Sequence, residues 1–139
     1  MGRDHLIEVL RALDPSLLFV LETNGILLGA DRSYVQELSS FSHLHVRVSL
    51  KGCTSDEFSW LTGAHPGGYA LQLQALRYLR DSQMRFNIAV VTSSQDASSL
   101  FHRLADMGLG SVMLEEETVK LYPPVRKRLR ERGLLYCFE

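Results

Sequence analysis

The sequence predicts an α/β fold in which a parallel sheet of about four strands alternates with helices. Short apolar runs at 17–21, 46–50, 86–91 and 111–114 have the length of buried strands. Between them lie segments whose apolar residues recur at helical spacing, most clearly Leu71, Leu73, Ala75, Leu76 and Leu79. Strands that alternate with helices imply parallel pairing through right-handed crossovers.

The chain of 139 residues is read as one domain, 1–139, large enough for a core without metal or disulfide staples. Its hydrophobic fraction of 45% and charged fraction of 22% are those of an ordinary globular protein. A formal net charge of -1 argues against a mainly electrostatic nucleic-acid binder. The basic run Arg126, Lys127, Arg128, Arg130 and Arg132 sits on a predicted helix with Glu131 inside it, and reads as a solvated face. Cys53 and Cys137 form no C-x-x-C spacing and read as free thiols in a reducing compartment. No apolar run is long enough to span a bilayer, and Arg3 and Asp4 occupy the start of the chain, so the expected location is cytoplasmic.

Taken in order, Leu6, Ile7, Leu10 and Leu13 predict a helix over Asp4–Leu13, with Asp4 able to cap it and Asp14-Pro15 ending it. Leu17–Leu21 is the first strand and 25–29 a connection. Asp31 or Ser33 caps a short helix carrying Tyr34, Val35 and Leu38. In His45–Gly52, Val46, Val48 and Leu50 alternate with Arg47, Ser49 and Lys51, the period of a strand. Thr54 or Ser55 caps a turn of helix through Phe58, Trp60 and Leu61, and 62–68 is a glycine-rich loop. A helix over Tyr69–Arg80 leads to a third strand, Phe86–Val91, closed by Thr92-Ser93-Ser94. A helix over Ala97–Met107 stops at Gly108, and Ser111–Leu114 is the fourth strand, ending in acids at Glu115. A last helix spans Pro124–Arg132. The tail 134–138 reads as a short fifth strand or a docked terminus.

The first strand organises the rest. In Phe19-Val20-Leu21-Glu22-Thr23-Asn24-Gly25 the apolar run turns polar within one step, as a buried strand does when it delivers polar groups to a sheet rim. That rim, at the carboxyl ends of parallel strands, is where ligands bind in α/β sheets and barrels. A closed eight-stranded barrel needs ~250 residues, and this chain supplies about half.

Four blocks then line up in order: Glu22-Thr23-Asn24-Gly25, Val46-Arg47-Val48-Ser49-Leu50-Lys51, Leu61-Thr62-Gly63 and Asn87-Ile88-Ala89-Val90-Val91. Together they resemble the middle of radical S-adenosylmethionine (radical SAM) enzymes of the pyruvate formate-lyase activating enzyme type. The resemblance covers 6–91 best. It implies a partial (βα)6 TIM-like barrel whose strand ends hold the methionine part of S-adenosylmethionine. By that resemblance the cofactor-binding residues are Glu22, Thr23, Asn24, Ser49, Lys51 and Val90. Thr23 would contact the amino acid part, Ser49 and Lys51 its carboxylate or ribose region, and Val90 would lie under the adenine. Glu22 replaces an aspartate that in some members helps hold a cation, and Ser49 departs from relatives with aspartate there. No catalytic residue and no metal ligand is assigned within this chain.

The family's three cysteines, spaced C-x-x-x-C-x-x-C, hold a 4Fe-4S cluster through thiolates. Two cysteines cannot do so. The resemblance therefore implies a truncated barrel whose cluster-binding strands lie upstream of Met1, inactive alone and with no cofactor bound to it alone. Its implied partners are that N-terminal segment and an unknown substrate, such as a glycyl-radical protein target. Nucleic acid and membrane are not expected partners. The alternative is a non-enzymatic α/β module acting as a scaffold or interaction domain. On either reading an unpaired sheet edge invites a homodimer.

The remaining polar residues read more plainly. His65 is a surface residue, and Cys53 a lone cysteine near the rim. The loop 62–68 lacks the Lys-Ser/Thr of a phosphate-binding loop. Glu115, Glu116 and Glu117 form a charged turn, with Glu115 at a strand end. His43 and His45 lie at the amino-terminal edge of the sheet, and a metal site with His5 is not favoured.

Overall fold

The structure, a computed structural model, describes residues 2–93 and 98–138. Four strands, β1 (Phe19–Thr23), β2 (Leu44–Lys51), β3 (Phe86–Val91) and β4 (Leu114–Glu116), form one sheet in the order β1-β2-β3-β4. Every pair is parallel, with Leu21 opposite Val46, Val48 opposite Ile88 and Ile88 opposite Leu114. Helix α1 (Arg3–Ala12) precedes β1, and α2 (Ile26–Ala30) and α3 (Arg32–Leu38) join β1 to β2. Helices α4 (Ser55–Thr62) and α5 (Gly67–Asp81) lead to β3, α6 (Ser98–Asp106) leads to β4, and α7 (Pro123–Glu131) follows it. The protein is thus α/β, with strands alternating with helices around a four-stranded parallel sheet. Among the described residues no helix is long and apolar enough to cross a membrane.

The period of two along each strand sorts the sheet into unlike faces. Val46, Val48, Leu50, Ile88 and Val90 point to one face and are fully buried against Leu6, Leu10, Leu38, Leu76, Leu79 and Leu100 from the helices. Burying each such side chain contributes about 1.5–3 kcal/mol. The opposite face carries Val20, Glu22, His45, Arg47, Ser49, Lys51, Asn87, Ala89 and Glu115. None of these joins the hydrophobic cluster, and Val20 is 50% exposed.

Several boundaries differ from the expectation, each for a local reason. Asp4 lies in the first turn of α1 and the N-cap is Gly2. The strand β1 starts at Phe19 and not at Leu17, because Leu17 N–H donates to Asp14 O in a turn and the ladder begins with Phe19 N–H to His43 O. The segment 25–29 is not a plain connection. Asn24 Oδ1 accepts from Ile26 N–H at 3.0 Å and starts α2, and Gly29 lets it press onto α5. Asp31 caps α3, accepting from Ser33 N–H. Thr54 caps α4, accepting from Glu57 N–H. Strand β4 lies later than Ser111–Leu114, because Val112 N–H turns back to Leu109 O and pairing continues through Glu117 N–H to Val90 O. Glu115 and Glu116 are therefore inside the strand, not in a turn after it. The tail forms a 3-10 turn, Leu135–Cys137, and Phe138 docks nearly parallel to Trp60. Ser94 and the predicted helix start at Ala97 lie outside the described residues.

Candidate functional site

The carboxyl ends of β1 and β2 are joined by one buried amide. Gln72, fully buried on α5, donates through Nε2 to Asn24 O (2.7 Å) and Ser49 O (3.1 Å). Its Oε1 has no hydrogen-bond partner. Thr23 Oγ1 accepts from Gly25 N–H (3.1 Å), which closes the polar turn after the strand. Gly25 adopts φ +78°, and a Cβ there would meet Val48 Cγ1 at 3.2 Å, so a side chain is disfavoured both by backbone and by space.

On the open face Arg47 is the centre. Its guanidinium donates to Glu22 (2.8 Å), Glu115 (2.9 Å) and Glu117 (2.7 Å). Glu117 and then Glu115 hold the Arg47 pKa above its ordinary value, so the group stays charged. Asn87 Nδ2 donates to Glu115, and Asn87 Oδ1 meets His45 Nε2 at 2.8 Å. An amide oxygen only accepts, so that ring nitrogen carries the proton. Lys51 Nζ lies 3.9 Å from Glu117. The result is a polar strip across all four strands, bridged at β3 by Asn87, in which two cations face three carboxylates.

A second knot ties the loops after β2 and β3. Glu57 accepts from Cys53 N–H (2.6 Å) on one oxygen, and from Thr92 Oγ1 (2.8 Å), Ser93 N–H (2.6 Å) and Ser93 Oγ (2.9 Å) on the other. Burial pushes its pKa up, but these hydrogen bonds outweigh it and hold the carboxyl below its ordinary 4.5. Tyr69 Oη donates to Cys53 O at 2.7 Å, and burial raises its pKa. Cys53 is buried beneath this knot.

Of the residues the sequence singled out, Glu22, Ser49 and Lys51 share the open face. Ser49 is buried there, whereas the Glu22 side chain is 62% exposed. Asn24 stands on the rim with both oxygens engaged, one to Ile26 N–H and one to Gln72. Thr23 and Val90 belong to the helix-covered side. Thr23 is opposite the core residue Val48, and Val90 is fully buried in the cluster. They do not share a surface with the other four. His65 is exposed and accepts from Gly67 N–H. His43 is packed edge-on to Phe41, with its Nε2 unpartnered.

The donor set fits the cofactor halves unequally. Lys51 and Ser49 offer a cation and a hydroxyl on one face, suited to a carboxylate. Nothing in the chain fits an iron–sulfur cluster, because buried Cys53 and half-buried Cys137 are its two thiols. Among the described residues no group of three or more His, Cys, Asp or Glu could hold a metal ion. Arg47, Glu57 and Gln72 escaped the sequence reading. Arg47 and Glu57 left legible signals, a cation on the polar parity of β2 and the fourth position of Thr54-Ser55-Asp56-Glu57, a capping-box pattern. In comparisons with known proteins no family model, no curated protein and no solved structure matches the chain.

Proposed function

We propose that this chain is part of a partial (βα)6 TIM-like barrel of the radical SAM type, and that its open face forms one wall of an S-adenosylmethionine site. The observation that carries the reading is the strand order. In doubly wound sheets the order reverses at a switch point, whereas a barrel adds each strand beside the last and keeps its helices outside. The order β1-β2-β3-β4, with the core on one face and charged groups on the other, has the second pattern.

In this reading Lys51 balances the ligand's carboxylate as a point charge, Ser49 donates a hydroxyl beside it, and Glu22 accepts from its ammonium or a ribose hydroxyl. Asn24 shapes the rim through the turn that it caps. Thr23 and Val90 support the wall from behind, since neither side chain lies on the open face. No residue of this chain would hold a 4Fe-4S cluster; held elsewhere, such a cluster would supply the electron for reductive cleavage of S-adenosylmethionine. Its thiolates would come from a segment supplied with this chain, which is inactive alone.

The test is anaerobic iron–sulfur reconstitution of the chain together with the reading frame upstream of Met1, followed by assay for 5′-deoxyadenosine. Product is expected from the longer protein and none from the chain alone. Lys51→Ala in the longer protein should weaken S-adenosylmethionine binding by roughly tenfold. An upstream frame without cluster cysteines, or a reconstituted protein that yields no 5′-deoxyadenosine, would sink the reading. The second reading, a non-enzymatic interaction module, is favoured by the closed network around Arg47, which already satisfies Glu22, Glu115 and Glu117 without a ligand.

A further inference from the structure

We propose that the cleft between α4 and α7 binds a phosphate monoester with an aromatic body, such as a nucleoside monophosphate. This inference is independent of the radical SAM reading. The cleft encloses about 390 Å³, in the size range of small-molecule sites. One wall is the end of α4, with Trp60, Thr62 and the C-cap Gly63; the other includes Arg128 and Leu129 of α7 and its C-cap Arg132. Trp60 is 39% exposed and lies 6.4 Å from the near-parallel ring of Phe138, so the mouth has an aromatic surface open to a ligand ring.

Charge selects the ligand. Among the described residues no acid lines the cleft, and Arg128 in the last turn of α7 and its C-cap residue Arg132 stand four residues apart, where like charges repel. The nearest acid in sequence, Glu131, pairs instead with Lys127 at 3.9 Å. The carbonyl end of α7 favours a cation in its last turn, but that does not account for two guanidiniums and an aromatic wall around one void. A phosphate monoester carries roughly −1.5 to −2 charge at pH 7 and matches both guanidiniums, whereas a carboxylate matches only one. Its oxygens accept the forked N–H donors and its ring covers Trp60.

Trp60 is the only tryptophan of the chain, so its fluorescence reports on this cleft. The full chain is titrated with adenosine monophosphate, adenosine, inorganic phosphate and benzoate. Adenosine monophosphate should quench saturably, with the other three at least roughly tenfold weaker. Arg128→Gln and Arg132→Gln should each weaken it roughly five- to tenfold. Neither should change far-UV circular dichroism or Tm, since α7 contributes no buried residue. Equilibrium dialysis with radiolabelled adenosine monophosphate should give the same ranking without the fluorophore. Absence of saturable binding, equal affinity for adenosine or benzoate, or variants that bind like the parent would each overturn the proposal.

Discussion

Glu57 concentrates more hydrogen bonds on one carboxylate than any other side chain described above. Its four donors come from the ends of two strands, so its loss unpins both loops. Glu57→Ala should lower stability by about 1–2 kcal/mol, a figure reduced because the group is partly hydrated, and urea denaturation measures it. Its depressed pKa fixes the sign of a pH effect. The folded state favours the carboxylate, so the stabilisation is present above the ordinary value of 4.5 and fades as pH falls through the lower folded value. The stability gap between parent and Glu57→Gln should therefore hold near neutral pH and shrink in acid. A gap that widens on acidification would contradict the assignment. Arg47→Gln should also lower the denaturation midpoint, by leaving three carboxylates facing each other without their shared cation. Single residues were unevenly legible in the sequence. Arg47 left a signal in the polar parity of β2, whereas Gln72 on the amphipathic α5 left none. Only the fold reveals that its amide bridges two strands.

At the scale of elements, the approach of α2 to α5 is the tightest feature. A Cβ on Gly29 would lie 1.9 Å from Leu71 O, against backbone that cannot yield as a side chain does. Gly29→Ala should cost more than about 2 kcal/mol, through strain and displacement of α2. Gly25→Ala, which meets side chains at 3.2–3.3 Å in a left-handed turn, should cost about 1–2 kcal/mol. Thermal melts of the two variants give the ranking, and an equal or reversed order would refute it. Elements with a sustained period were readable: α5 and β3 lie close to where the pattern puts them. The strands β1 and β4 slid because apolarity marks what can be buried, not which amides pair. Leu17 and Leu18 extend the apolar run yet stand 58% and 61% exposed ahead of the ladder. Helix α2 was hidden behind Gly25 and Gly29, which read as a loop until their close contacts are seen.

For the whole molecule, alternation of strand and helix was enough to give the α/β class, since period-two and period-3.6 patterns are hard to exchange. The order of strands in the sheet was not, because apolar patterns do not name neighbours. Among the described residues β1 pairs only with β2, which leaves its other edge unpaired beside exposed Leu18 and Val20. Such an edge templates further pairing. Light scattering should find dimers or larger species that increase with concentration, and Leu18→Lys should shift them toward monomer. A parent protein that is monodisperse and monomeric at all concentrations would rule this out.

The sequential strand order also sets where the molecule opens first. Among the described residues, strands β2 and β3 are flanked on both sides, whereas β1 and β4 each have a single neighbour. Amide hydrogen exchange should therefore be graded across the sheet, slowest at Val48 and Ile88 and faster toward either margin. The protein would then fray as a stack does, from its outer members inward, with β2 and β3 the last to separate.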